Sequence, residues 1–113
     1  MKIDADAKRV TIYVNNTDQW QGRPLHTAII QFCQEKGIAG ATASRAIEGY
    51  GAGRALHVPG ILSLGDNLPV RIEIIDRAER IDSLLPALEG MIGEGLVALS
   101  DVRAIRYLPE PKS

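Results

Sequence analysis

From Arg9 to Val14, the apolar residues Val10, Ile12 and Val14 alternate with Thr11 and Tyr13. A period of two is the pattern of a half-buried strand. The polar stretch Asn15 to Gly22, which carries the only tryptophan, Trp20, reads as a loop. Pro24 then opens a helix, since its missing N–H would be unpaired at a first helical position in any case. Leu25, Ala28, Ile29, Phe32 and Cys33 recur along it as one apolar stripe. Gly37 followed by Ile38 is a Schellman ending, with glycine supplying the left-handed residue and isoleucine the hydrophobic contact.

A second strand is expected from Ala41 to Glu48, rich in small residues. The run Gly49-Tyr50-Gly51-Ala52-Gly53 reads as a loop or a bent strand end. Residues 54–67 carry little pattern, and a mobile loop is expected in their first half. The third strand is clear: Val70, Ile72 and Ile74 face one way, Arg71 and Glu73 the other. Asp76 is placed to cap the next helix, with Glu79 three residues on as in a capping box. Ile81, Leu84, Leu85, Leu88, Met91 and Ile92 form its stripe, and Pro86 inside it predicts a kink near Asp82–Pro86. A turn at Gly93-Glu94-Gly95 follows. The fourth strand is expected over Val102 to Leu108, after an optional short one at Leu96 to Leu99.

This order, β-α-β twice, folds most simply into an α+β, ferredoxin-like βαββαβ domain. Its four-stranded antiparallel sheet carries both helices on one face. The other face is left bare, and the small residues of the second strand suit its burial by self-association. The chain reads as one domain over residues 1–113. Its core spans about 9–108, and residues 109–113, with two prolines, form a flexible tail.

Composition narrows the function. The 113 residues are 45% hydrophobic but only 4% aromatic, so aliphatic side chains must build the core. Thirteen Lys plus Arg against fourteen Asp plus Glu leave a net charge of −1, which speaks against broad nucleic-acid binding. The single cysteine excludes an intrachain disulfide and a multi-cysteine zinc site. No apolar run approaches the ~18 residues of a membrane span, and the first residues have no apolar signal core. A reduced, cytoplasmic protein without direct membrane insertion is expected. No catalytic Ser-His-Asp or Cys-His set can be argued, so the expectation is not an enzyme. His26 and His57 lie far apart, which makes a poor metal site, and no metal or bound cofactor is expected.

The candidate chemistry lies in the glycine-rich turns, whose free backbone N–H groups can form an anion-binding nest. At Gly51 and Gly93 the backbone can also approach a phosphate closely. Gly-x-Gly alone more often marks only a tight turn. Among the aromatics, Tyr50 sits between two glycines and can stack on a base, whereas Trp20 reads as a loop anchor. Cys33 reads as a small buried hydrophobe. Glu73 and Arg71 read as a cross-strand salt bridge rather than Glu73 pairing with Glu48 as catalytic carboxylates.

Three segments together carry a family resemblance. They are Gly40-Ala41-Thr42 running on to Glu48-Gly49-Tyr50-Gly51, then Leu68 to Asp76, then Ile92-Gly93-Glu94-Gly95 with Asp101-Val102-Arg103-Ala104-Ile105-Arg106. In this order they resemble the PII signalling superfamily. From Arg9 to Tyr107 the chain resembles a PII-like branch that forms a domain of unknown function. The resemblance implies a homotrimer with an adenine nucleotide as effector in inter-subunit clefts. It also implies a flexible loop that acts on a transporter or enzyme.

The resemblance also implies the site residues. Thr42 lines the adenine pocket. Gly49, Tyr50 and Gly51 form the base of the flexible loop, whose body is about Ala52 to Pro59. Gly93, Glu94 and Gly95 form the phosphate-facing turn. Arg106 reaches the phosphates, with Arg103 beside it on the last strand. Ala52, Gly53, Arg54 and His57 fall in the partner loop. Where the PII pattern has a lysine and a second arginine, this chain has Leu96 and Leu108. Each lost charge-assisted contact is worth about 1.5–3 kcal/mol, so AMP or ADP is expected rather than ATP. The short loop also lacks the modified tyrosine region, so covalent control there is not expected.

Two other readings share the fold. One is a CutA-like trimeric stress or metal-tolerance protein, short of ligand residues here. The other is an acylphosphatase-like hydrolase, which needs a phosphate-cradling arginine after the first strand; only Arg23 is available. An RNA-binding module lacks the paired aromatics on strands one and three.

Overall fold

The computed structural model describes residues 1–49 and 68–111. Its elements are β1 (Lys2–Asn15), β2 (Gln19–Trp20), β3 (Arg23–Pro24), α1 (Leu25–Glu35), β4 (Gly40–Arg45), β5 (Pro69–Arg77), α2 (Ala78–Met91) and β6 (Leu96–Tyr107). The four long strands form one antiparallel sheet in the order β4-β5-β1-β6. This is the ferredoxin-like arrangement expected from the β-α-β order.

Register explains why one face is core. Ala43, Ile72, Ile12 and Val97 lie opposite one another across the four strands, as do Ala41, Ile74, Val10 and Leu99. Both helices pack on this face. Leu25, Ile29 and Cys33 of α1 and Ile81, Leu84 and Leu88 of α2 form one cluster with Val10, Ile12, Val14, Val70, Ile72 and Ile74. The stripes read from helical spacing face the core, with Phe32, Leu85, Met91 and Ile92 only partly buried against it and Ile92 just past the end of α2. Cys33 is the small core residue expected. The opposite face presents Thr42, Glu73, Thr11 and Ala98 in one row and Ser44, Arg71, Tyr13 and Leu96 in the next. No helix among the described residues covers it.

The end of α1 is a full Schellman motif. The Gly37 N–H donates to Gln34 O and the Ile38 N–H to Cys33 O, both at 3.0 Å, and Gly37 has φ of +70°.

Several boundaries differ from expectation. β1 begins at Lys2, because Lys2–Asp6 pairs with Arg103–Tyr107 as a two-stranded ribbon beyond the end of β5. The fourth strand is continuous from Leu96 rather than two pieces. β4 stops at Arg45, short of Glu48, and the Ala46 N–H then donates to Pro69 O at 2.9 Å. The loop after β1 contains the short β2–β3 hairpin, in which Trp20 packs against the core. Pro24 ends β3 and stands just before the helix rather than in it. α2 continues through Pro86 to Met91.

Asp76 is not a helix cap, since the cap position is Arg77 and receives no side-chain bond. The Asp76 carboxylate turns back instead, accepting from the Ala39 N–H at 3.0 Å and the Arg77 N–H at 2.7 Å. It ties the α1–β4 turn to the end of β5. Of the expected tail, the Glu110 carboxylate is held by the Met1 amino group at 2.7 Å.

Candidate functional site

The glycine turn after α2 is fixed by packing. A Cβ on Gly95 would stand 2.6 Å from the Tyr13 carbonyl oxygen and 3.3 Å from both Ile92 Cγ2 and Val14 Cγ1. Only glycine lets this turn lie on the end of β1. At Gly93 nothing lies within 4 Å, so its backbone faces open space. Gly49, at the other edge of the same end of the sheet, would place a Cβ 3.2 Å from Pro69 Cγ.

Thr42 lies on the bare face, opposite Glu73. Glu73 pairs with Arg71 at 2.6 Å. This ion pair runs along β5 rather than across strands as expected, because residues two apart share a face.

The two arginines of β6 part company. Residues three apart on a strand point to opposite faces. Arg103 lies opposite Asp6 on the helix side of the ribbon and makes a two-pronged pair with Asp4, at 2.8 and 2.5 Å. The guanidinium holds the Asp4 carboxyl below its ordinary value, and the carboxylate raises Arg103 in turn. Arg106 lies opposite Ile3 on the bare face. There it lines a groove of about 290 Å³ together with Ala5, Ala7, Ala104, Ile75 and Arg77. Gly40 also borders this groove, and Thr42 follows two residues later on the same face of β4.

The glycine turn and Arg106 stand at opposite ends of β6. Ten residues of strand separate Leu96 from Arg106, about 33 Å. One protomer therefore cannot bring Gly93–Gly95 and Arg106 to one ligand. Tyr50, Gly51, Ala52, Gly53, Arg54 and His57 lie outside the described residues.

Other candidates find plain places. Burial pushes the Cys33 thiol up to about 11, which makes it a poor nucleophile. Arg23, on which the hydrolase reading rested, hydrogen-bonds the Gln31 side chain of α1. Among the described residues no group of three His, Cys, Asp or Glu side chains is placed to hold a metal ion. No helix among them is long and apolar enough to cross a membrane.

Sequence reasoning missed the groove. Its signal is Ile3-x-Ala5-x-Ala7 alternating with Asp4, Asp6 and Lys8, a period of two carried by residues too small to read as core.

Comparison with known proteins places this geometry in a family. Residues 7–104 match the family model DUF190, described as "Uncharacterized ACR, COG1993". The chain belongs to the DUF190 family. A UPF0166 protein of Aquifex aeolicus is 34% identical over 98 residues, covering 87% of this chain and 92% of the relative. A UPF0166 protein of Methanocaldococcus jannaschii is 36% identical over 96 residues, covering 84% and 88%. Among solved structures, a putative PII-like signaling protein from Thermus thermophilus superposes with a TM-score of 0.63 at 20% identity, covering 89% of this chain and 91% of that one. CPII from Thiomonas intermedia, a nitrogen regulatory PII-like protein bound to ADP, AMP and bicarbonate, gives 0.65 at 14% identity, covering 94% and 100%. The DUF190 chain thus has the PII-like fold.

Proposed function

We propose that this DUF190 protein is a PII-like regulator that binds an adenine nucleotide, AMP or ADP in preference to ATP, in clefts of a homotrimer. Each cleft combines the Arg106 groove of one protomer with the Gly93-Glu94-Gly95 turn of the next. The observation that carries this reading is the separation of about 33 Å along β6 between two anion-suited features, which only a second copy can bring together. The bare sheet face, with half-exposed Tyr13 and Leu96, supplies a surface for that copy. CPII, which shares the fold, binds ADP and AMP.

In this reading the groove's small residues admit a flat base near Gly40 and Thr42, and Arg106 takes phosphate charge. The nucleotide binds one state of the segment after Gly49 better than another and shifts the population by that difference. A transporter or an enzyme then reads the segment, in the cytoplasm. The chain itself catalyses nothing.

Isothermal titration with AMP, ADP and ATP tests this. AMP and ADP give saturable heat, ATP binds more weakly, and Arg106→Ala weakens AMP at least tenfold. Absence of heat and of a thermal shift with all three nucleotides refutes it.

A further inference from the structure

The groove lies where β5 ends and the sheet narrows to the β1–β6 ribbon, and two strands each give it an arginine. Arg77 is the last residue of β5 and Arg106 stands near the end of β6. Their partners on β1, Ala7 and Ile3, are an even number of residues apart, so both arginines belong to the bare face. The rows they occupy are about 13 Å apart along the strands.

Among the described residues, neither guanidinium takes part in an ion pair or side-chain hydrogen bond. Asp76, the carboxylate bordering the groove, is committed to the Ala39 and Arg77 backbone N–H groups and stands 3.7 Å from Arg80. Asp76 itself lies on the helix side, opposite Lys8, and Glu73, the acidic side chain on the bare face of the described sheet, pairs with Arg71. Arg9 adds a third cation to that face, opposite Ile75, and its Nε is buried without a partner. The groove is therefore a concave surface walled by alanine and isoleucine, with two arginines whose guanidinium groups pair with no described acid and one carboxylate, Asp76, that already faces Arg80. A multiply charged oxoanion fits it, since paired guanidinium forks match phosphate geometry.

We propose that Arg77 and Arg106 form a two-arginine clamp for the phosphate of a phosphate-bearing ligand, with Arg77 a direct phosphate contact. For a nucleotide this rests on the function proposed above and adds a residue to it.

The test is calorimetric titration of the full chain with AMP and, separately, with inorganic pyrophosphate, which has no base. Wild type, Arg77→Ala and Arg106→Ala are compared at low and moderate salt. Arg77 is exposed, so its variant should keep the wild-type circular dichroism and melting temperature. Wild type binds both probes, and Arg77→Ala weakens both tenfold or more at low salt. The salt dependence of the variant is shallower by about one charge. If nucleotide binding responds to Arg106→Ala but not to Arg77→Ala, the clamp is wrong and the nucleotide reading stands. If pyrophosphate binds in an Arg77-dependent way while AMP and ADP do not bind, the clamp stands and the nucleotide reading falls. A loss with unchanged salt dependence makes Arg77 structural and overturns the proposal. Failure of wild type to bind any of these probes overturns both.

Discussion

Replacing Gly95 by alanine isolates the contact that seats the glycine turn on the sheet. The added Cβ would stand 2.6 Å from the Tyr13 carbonyl oxygen, whereas ordinary van der Waals contact begins near 3.4 Å. The turn or the end of β1 must therefore move by about 0.8 Å, the difference between these distances. The atom met is backbone, not the end of a flexible side chain, and it lies in the ladder that pairs Tyr13 with Leu96. Overpacking of this kind costs about 1–3 kcal/mol. For a domain of this size each kcal/mol moves the melting temperature by roughly 3–6 °C, so a fall of roughly 3–18 °C is expected. Gly93→Ala is the internal control, because nothing lies within 4 Å of its Cβ position. Thermal melts by circular dichroism at one fixed protein concentration compare the two with wild type. A Gly95→Ala protein that melts within 1 °C of wild type, or no lower than Gly93→Ala, refutes the steric account of the turn.

Three further outcomes follow from single contacts. Asp76→Ala removes the acceptor from the Ala39 and Arg77 N–H groups and should cost about 1–3 kcal/mol in urea denaturation. Cys33, with its thiol pushed up to about 11, should resist alkylation at pH 8 until the protein unfolds. Because the unfolded thiol ionises at lower pH than the folded one, Cys33's contribution to stability is lost as pH rises toward 11, and Cys33→Ala should flatten that loss. The Asp4 carboxyl, held low by Arg103, should titrate below its ordinary value by NMR and return toward it in Arg103→Gln. The pair's contribution is present above the ordinary aspartate range and fades as pH falls through the lowered value.

The elements with strong side-chain contrast were legible in the sequence. Val10, Ile12 and Val14, and again Val70, Ile72 and Ile74, announce their strands because large aliphatic groups alternate with polar ones. The two helical stripes and the Gly37-Ile38 ending were equally clear, since each rests on local geometry. The ribbon was not legible, because Ala5 and Ala7 carry too little apolar area to stand out against Asp4, Asp6 and Lys8. Asp76 misled because its sequence position suits a cap, while a tertiary partner, the Ala39 N–H, wins it. At the candidate site, the glycine turn was found from its composition. Grouping Arg103 with Arg106 ignored strand parity, which sends one to Asp4 and the other to the groove. Arg77 stayed hidden because its place in the groove depends on where β5 ends relative to β6.

A crystal structure grown with AMP tests the central claim most directly. The account predicts adenylate between two copies of the chain, its phosphate against Arg106 of one and the Gly93–Gly95 turn of the other. Nucleotide bound wholly within one copy, or excluded from the Arg106 groove, would contradict it.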